Sequence, residues 1–286
     1  MLVINRPTEM QAFSKAQRAA GKIIGFVPTM GYFHEGHLTL MRQARARADL
    51  VVVSLFVNPT QFAPTEDLSK YPRDFDRDCR MAESAGVSVM FFPTPEDMYP
   101  DGYQTTVSLG EIPKVLCGVN RPPHFAGVAT VCAKLFNIVL PHFAVFGEKD
   151  YQQLLVIQQT VADLNMDLEI VPGPLVREPD GLAMSSRNVY LQPEERKQAT
   201  VLNRSLRHAE QMLRQGIHET TKILDEVTAL IRREPLAQID YIELRALPRL
   251  AAAAARPRGR HLLALAVKFG KTRLIDNTVL DFKGTT

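Results

Sequence analysis

Along the first half of the chain, short apolar runs alternate with stretches whose apolar residues recur at helical spacing. Residues 23–27, 50–57, 87–92, 142–146 and 168–171 read as strands, apolar on both faces as buried parallel strands are. Between them, residues 37–48 place Leu38, Met41, Ala44 and Ala48 on one helical face and arginines on the other. Residues 73–85 and 127–139 read as further helices, and another starts near Tyr151. Parallel strands need crossover connections, so this alternation predicts an α/β fold: a Rossmann-like parallel sheet with helices on both faces. Pro28 lacks an N–H and is expected to end the first strand.

Residues 172–188 hold three prolines and two glycines and read as the hinge between two parts. Beyond it come two polar helical patterns, 193–214 and 220–233, then strand-like runs at 239–244, 262–269 and 272–280. Helices followed by strands suggest a smaller α+β domain. The alanine-rich run 250–255 reads as a linker or a weak helix. The expected division is 1–176 and 177–286.

Chemistry-bearing residues cluster at the predicted strand ends. His34-Glu35-Gly36-His37 lies where the first strand gives way to a helix. A helix start offers unpaired N–H groups and the positive end of the dipole, and Gly31 and Gly36 let backbone approach a phosphate. Two imidazoles there add donors for charge growing on a phosphoryl oxygen. A zinc helix would carry its histidines four apart with a Glu between, and no later Cys or His pair completes such a set. Phe146-Gly-Glu-Lys-Asp150 follows another strand and aims Lys149 at the same sheet edge. Met184-Ser-Ser-Arg187 supplies two hydroxyls and a guanidinium on a turn, which suits a loop over a polyphosphate. The acidic residues Asp74, Asp76 and Asp78 read as decoration of a helix rather than metal ligands.

Composition narrows the classes. The 286 residues are 45% hydrophobic and 23% charged, ordinary for a globular enzyme, and a net charge of +3 gives no reason to expect a nucleic-acid partner. Cys79, Cys117 and Cys132 are widely spaced and form no C-x-x-C pair. With no leader-like start and no apolar run of membrane-spanning length, they point to reduced thiols in the cytoplasm. The Rossmann dinucleotide fingerprint is absent.

Pro28-Thr-Met-Gly31, the His34/His37 cluster, Phe56-Val-Asn-Pro-Thr-Gln-Phe62, Phe146-Gly-Glu-Lys-Asp-Tyr-Gln-Gln153, Arg177-Glu-Pro-Asp-Gly-Leu-Ala-Met-Ser-Ser-Arg-Asn188 and Thr272-Arg-Leu-Ile-Asp-Asn277 together resemble the pantoate-beta-alanine ligase family of HIGH-motif nucleotidyltransferases. The resemblance implies ATP-dependent joining of pantoate and β-alanine through pantoyl adenylate, with the smaller domain as a lid and the chain a homodimer. It implies catalytic roles for His34, His37, Lys149 and Arg187. ATP contacts would come from Met30, Gly31, Tyr32, Phe33, His34, Glu35, Gly36, His37, Gly147, Glu148, Lys149, Asp150, Val176, Met184, Ser185, Ser186 and Arg187. Gln61, Gln153 and Asn58 match the substrate-binding blocks, and Mg²⁺ is expected on the ATP phosphates with no protein ligand. Arg121-Pro-Pro-His-Phe125 departs from the family in placing Pro123 where glycine is usual, which bears on Arg121 and His124. The competing readings are a transfer of AMP to a phosphate ester and a non-catalytic nucleic-acid-binding module.

Overall fold

The computed structural model describes residues 1–63 and 68–283. In chain order it runs β1 (Leu2–Ile4), α1 (Pro7–Ala19), β2 (Ile24–Thr29), α2 (Glu35–Arg45), β3 (Leu50–Leu55), α3 (Phe75–Ser84), β4 (Val89–Phe91), α4 (Pro95–Met98), α5 (Cys117–Asn120), α6 (His124–Val139), β5 (Phe143–Gly147), α7 (Tyr151–Asp163) and β6 (Glu169–Gly173). It continues with α8 (Pro193–Ala199), α9 (Val201–Arg214), α10 (Thr220–Arg232), β7 (Ala237–Ala246), β8 (Ala251–Ala252), β9 (Gly259–Phe269) and β10 (Thr272–Phe282). The chain divides into two compact units. Met1–Lys114, Gly118–Glu148 and Gln152–Leu175 form the first, and Val115–Cys117, Lys149–Tyr151 and Val176–Thr286 the second.

The first unit is built on a six-stranded parallel sheet in the order β1-β4-β3-β2-β5-β6. Side-chain alternation along β2 and β3 serves two cores. Ile24, Phe26 and Val52 pack with Val128, Leu135 and Phe136 of α6, while Val27, Val51 and Val53 pack with Leu38 and Met41 of α2. Because both faces are covered, the strands read as continuous apolar runs rather than alternating ones. β1 and α1 carry no such signal. β1 is a three-residue edge strand, and α1 buries only Met10 and Ser14, so the pattern that marks the later elements is faint there.

Pro28 does not end its strand. β2 stays paired with β3 through Pro28↔Ser54 and Thr29↔Leu55. The N–H and C=O groups of alternate residues point to opposite neighbours. Ile24 faces β5, accepting from His142 N, and Thr29 faces β3, accepting from Phe56 N. Pro28 therefore presents its missing donor to the β5 side, where pairing has already ended at Phe26↔Ala144. The proline costs no ladder bond and acts only as a stop on one side.

The second unit carries an antiparallel sheet in the order β10-β9-β7-β8, with α9 and α10 against it. Leu202, Leu206 and Met212 of α9 and Ile223, Val227 and Ile231 of α10 meet Leu263, Leu265 and Val267 of β9 in one core. The helical stretch 193–214 is two helices joined at Thr200. The alanine-rich run is not helical: Ala251 and Ala252 form a two-residue strand against Ala246 and Arg245 of β7.

Candidate active site

In the first unit's sheet, strand order reverses at β2, whose neighbours β3 and β5 lead away in opposite directions. The carboxyl ends of strands at such a point are where open α/β sheets hold ligands. The segment after β2 is shaped for close approach. Gly31 has φ +89°, a conformation that disfavours other residues, and Tyr32 follows it with φ +52°. His34 then N-caps α2.

The two histidines form a reciprocal capping box. Gly36 N donates to His34 Nδ1 at 3.1 Å, and His34 N donates to His37 Nδ1 at 3.3 Å. In this arrangement Nδ1 is the accepting atom of each cap, and a neutral ring so placed carries its hydrogen on Nε2. Both caps are made through Nδ1, so the Nε2 of each ring is the nitrogen that would meet a ligand at the helix start. Their ring centroids are 4.1 Å apart, and Phe33 lies 5.5 Å from His37. Phe33 itself is fully buried in the core beneath, and Glu35 is exposed and paired with Arg42.

Beside β2, the chain leaving β3 makes a short 3₁₀ turn, Pro59–Gln61, N-capped by Asn58. Asn58 is 1% exposed and its amide is fully used. Its Nδ2 donates to Gln61 Oε1 and to Gly127 O, both at 3.2 Å, and its Oδ1 accepts from Tyr99 Oη at 2.8 Å and Thr60 Oγ1 at 3.0 Å. Gln61 Nε2 reaches Met30 Sδ at 3.0 Å, which brings the loops after β2 and β3 together. A Cβ on Gly127 would lie 2.4 Å from Thr60 O, so only glycine lets α6 sit this close to the turn. Arg121 Nη2 at 3.3 Å and His124 Nδ1 at 2.9 Å meet Gln61 O. Pro123 occupies the N-cap position of α6 with φ −80°, close to the value its ring imposes. Gln153 is half-buried in the first turns of α7.

Gly147 ends β5 and Glu148–Asp150 form a 3₁₀ turn. Within the second unit, Lys149 Nζ is 3.6 Å from Asp150 Oδ1, and Asn277 Nδ2 of β10 donates to Lys149 O at 2.9 Å. The segment 176–188 folds on itself: Met184 N donates to Val176 O, and Glu178 N to Leu182 O. Arg177 makes a two-pronged ion pair with Asp276, at 2.6 and 3.0 Å, and donates to Gly181 O at 3.1 Å. The Asp276 side chain is wholly buried, and burial raises its pKa against the lowering by Arg177. Arg196 pairs with Glu178 and Asp180, and its hydrogen bond holds the Glu178 carboxyl below its usual range. Ser185 caps the 3₁₀ turn Ser186–Tyr190, its Oγ accepting from Arg187 N at 3.3 Å.

The groups that sequence reasoning missed act on the candidate residues rather than among them. Asp78 is not helix decoration: it is 1% exposed and accepts from Tyr32 N and Phe33 N. Tyr99 and Gly127 fix the Gln61 turn, and Arg177 with Asp276 braces the segment that ends in Arg187. A carboxylate in a run of alternating acids gives no sign in sequence of what it meets forty residues away.

The chain matches the Pantoate-beta-alanine ligase family model over residues 2–279. It is 55% identical over 280 residues to the pantothenate synthetase of Pelotomaculum thermopropionicum, covering 98% of this chain and 99% of that one. Among solved structures it is similar to the pantothenate synthetase of Thermus thermophilus, with TM-score 0.90, 43% identity and coverage of 97% and 99%. It also resembles the pantoate-beta-alanine ligase of Francisella tularensis complexed with beta-gamma ATP and beta-alanine, with TM-score 0.80, 32% identity and coverage of 98% and 97%. The paired histidine caps at the sheet's switch point, the Asn58/Gln61 turn and these full-length likenesses lead to one conclusion: this chain belongs to the pantoate-beta-alanine ligase family.

Proposed function

We propose that the chain joins (R)-pantoate to β-alanine at the expense of ATP in two steps. A pantoate carboxylate oxygen attacks the α-phosphorus, the bond to the bridging oxygen breaks, and pyrophosphate leaves from pantoyl adenylate. The β-alanine amine then attacks the activated carbonyl carbon, AMP leaves with the electron pair, and the nitrogen loses its proton to give pantothenate. The observation that carries this reading is the pair of histidines whose Nδ1 atoms cap the start of α2 in a chain of this family.

His37, with His34 beside it, donates to the phosphate oxygens as negative charge moves onto them. Lys149 and Arg187 supply cations to the triphosphate. Backbone at Met30, Gly31, Gly36 and Gly147 lies against the nucleotide together with Tyr32, Glu35 and Glu148, whereas Phe33, also expected there, is buried in the core with its N–H and C=O bonded to Asp78 and Arg77. Asp150 accepts from ribose, Val176 contacts the nucleoside through its backbone, and Met184, Ser185 and Ser186 close with Arg187 on the phosphates. Gln61 and Gln153 bind the diol acid, since an amide offers donor and acceptor together. Asn58 serves by orienting Gln61: its Nδ2 engages Oε1, leaving the pantoate to meet a fixed amide.

We assign Mg²⁺ to the ATP phosphates, as is usual for that ion. Among the described residues no three His, Cys, Asp or Glu side chains gather into a metal cluster. The segment 177–286 acts as the lid, its last three residues lying outside the described ones. Among the described residues no helix is long and apolar enough to cross a membrane. No disulfide joins Cys79, Cys117 and Cys132, which suits a reducing cytoplasm, and a homodimer follows from the family resemblance.

Pyrophosphate release tests the reading. A burst with pantoate alone, becoming sustained when β-alanine is added, is the expected result. Release that ignores pantoate but responds to a phosphate ester would replace it with nucleotidyl transfer. A second prediction concerns the Gln61 turn. Gly127→Ala pushes a methyl into the Thr60 carbonyl, a backbone atom that cannot swing aside, and should destabilise the protein by about 1–3 kcal/mol. It should also raise the KM for pantoate more than that for ATP. Equal shifts in both constants, measured by steady-state kinetics, would contradict the placement of pantoate at Gln61.

A further inference from the structure

We infer that Asp78, with Arg77 beside it, is a positioning residue for the adenylation step. Both carboxylate oxygens of Asp78 are spent on the loop that leads into the histidines: Oδ2 accepts from Tyr32 N at 2.6 Å and Oδ1 from Phe33 N at 2.7 Å. These are short, charge-assisted bonds made where water is excluded. Arg77 takes the loop's other polarity, its Nη2 donating to Phe33 O at 2.9 Å, and its guanidinium carbon lies 5.1 Å from the centre of the Tyr32 ring. Its Nη1 is 3.5 Å from Asp78 Oδ1, so an opposite charge stands beside the buried carboxylate.

The loop needs this clamp because it is not relaxed. Tyr32 at φ +52° is in the left-handed region, where a non-glycine residue stays only if neighbours over-determine it. Gly31 just before it has φ +89°, and a Cβ there would press on side chains, 3.1 Å from Asp78 Oδ2 and 3.1 Å from Leu55 Cδ2. Two residues after Tyr32 the same backbone sets His34 at the cap of α2, and His34 N in turn fixes His37 Nδ1. Consecutive residues of α3 thus hold the strained backbone that aims both imidazoles. Neither touches the reacting atoms in this assignment.

This inference rests on the adenylation reading, and splitting the two half-reactions tests it. Asp78→Asn keeps the shape but offers Tyr32 N or Phe33 N an NH₂ group in place of an oxygen. Pantoate-dependent exchange of pyrophosphate into ATP should fall at least tenfold in kcat with little change in KM for ATP. Conversion of supplied pantoyl adenylate and β-alanine to pantothenate should stay within twofold of wild type. Arg77→Gln, at a partly exposed position, should show a smaller loss confined to the same half-reaction, and it decides the matter if Asp78→Asn does not fold. Equal losses in both half-reactions, as a general structural defect would give, or no loss in exchange, would overturn the inference. A failure of the adenylation reading would show instead in the wild-type protein, as exchange that does not depend on pantoate.

Discussion

His37→Ala should lower the rate of pyrophosphate release in a pantoate-dependent single turnover by about two orders of magnitude, the scale of one lost oxyanion-type donor, roughly 3 kcal/mol. The loss should appear in the chemical step and not in ATP affinity, because an N–H donor gains most when charge builds on the oxygen it faces. The ring is held in place to donate: its Nδ1 accepts from His34 N, and His34 and Phe33 flank it at 4.1 and 5.5 Å. Removing it also deletes half of the capping box, for which about 1 kcal/mol of stability is the expected cost. The rate should therefore fall far more than the stability does. An unchanged burst rate in rapid-quench measurements would take His37 out of the mechanism.

The sequence made the α/β alternation legible because buried parallel strands are apolar throughout and their crossover helices are amphipathic. Legibility ended where neighbours decide. Pro28 looked like a strand end because a missing N–H is visible in sequence, whereas the side of the strand it faces is not, and β5 has already parted from β2 there. Ala251 and Ala252 pair with β7 although alanine is a poor strand former, since an adjacent edge overrides weak propensity. At the site, the histidines were visible from their place at a helix start. Which ring nitrogen makes each cap was not, because that depends on where each backbone N–H lies. Asp78 was passed over for the same reason: its partners at Tyr32 and Phe33 are local to the fold and distant in the chain.

Arg177→Met should be the most damaging single change for stability among those considered, at about 3–5 kcal/mol near neutral pH, the usual result of removing one partner of a buried pair. Asp276 would be left wholly buried with its two-pronged cation gone, keeping the bond from Asn277 N at 2.8 Å. The pH dependence follows from the direction of its titration. Burial already raises the Asp276 pKa above the ordinary carboxylate value, with Arg177 opposing the shift. Without Arg177 the folded-state pKa rises further, so the folded chain binds a proton that the unfolded chain, titrating near pH ~4, does not. Stability of the variant should therefore be lost as pH rises through the window between those two pKa values and be partly regained as pH falls into it. Wild type should show the same sign over a narrower window. Denaturant titrations of both proteins at neutral and mildly acidic pH check this, and a variant whose deficit is the same at every pH would mean that Asp276 is not left charged. Because Arg177 also donates to Gly181 O, at the turn of the segment that carries Ser185, Ser186 and Arg187, folded Arg177→Met should show a raised KM for ATP as well. The Asp276→Asn change separates the two effects. It removes the buried charge yet leaves Arg177 its bond to Gly181, so it should recover most of the KM even where some stability is lost.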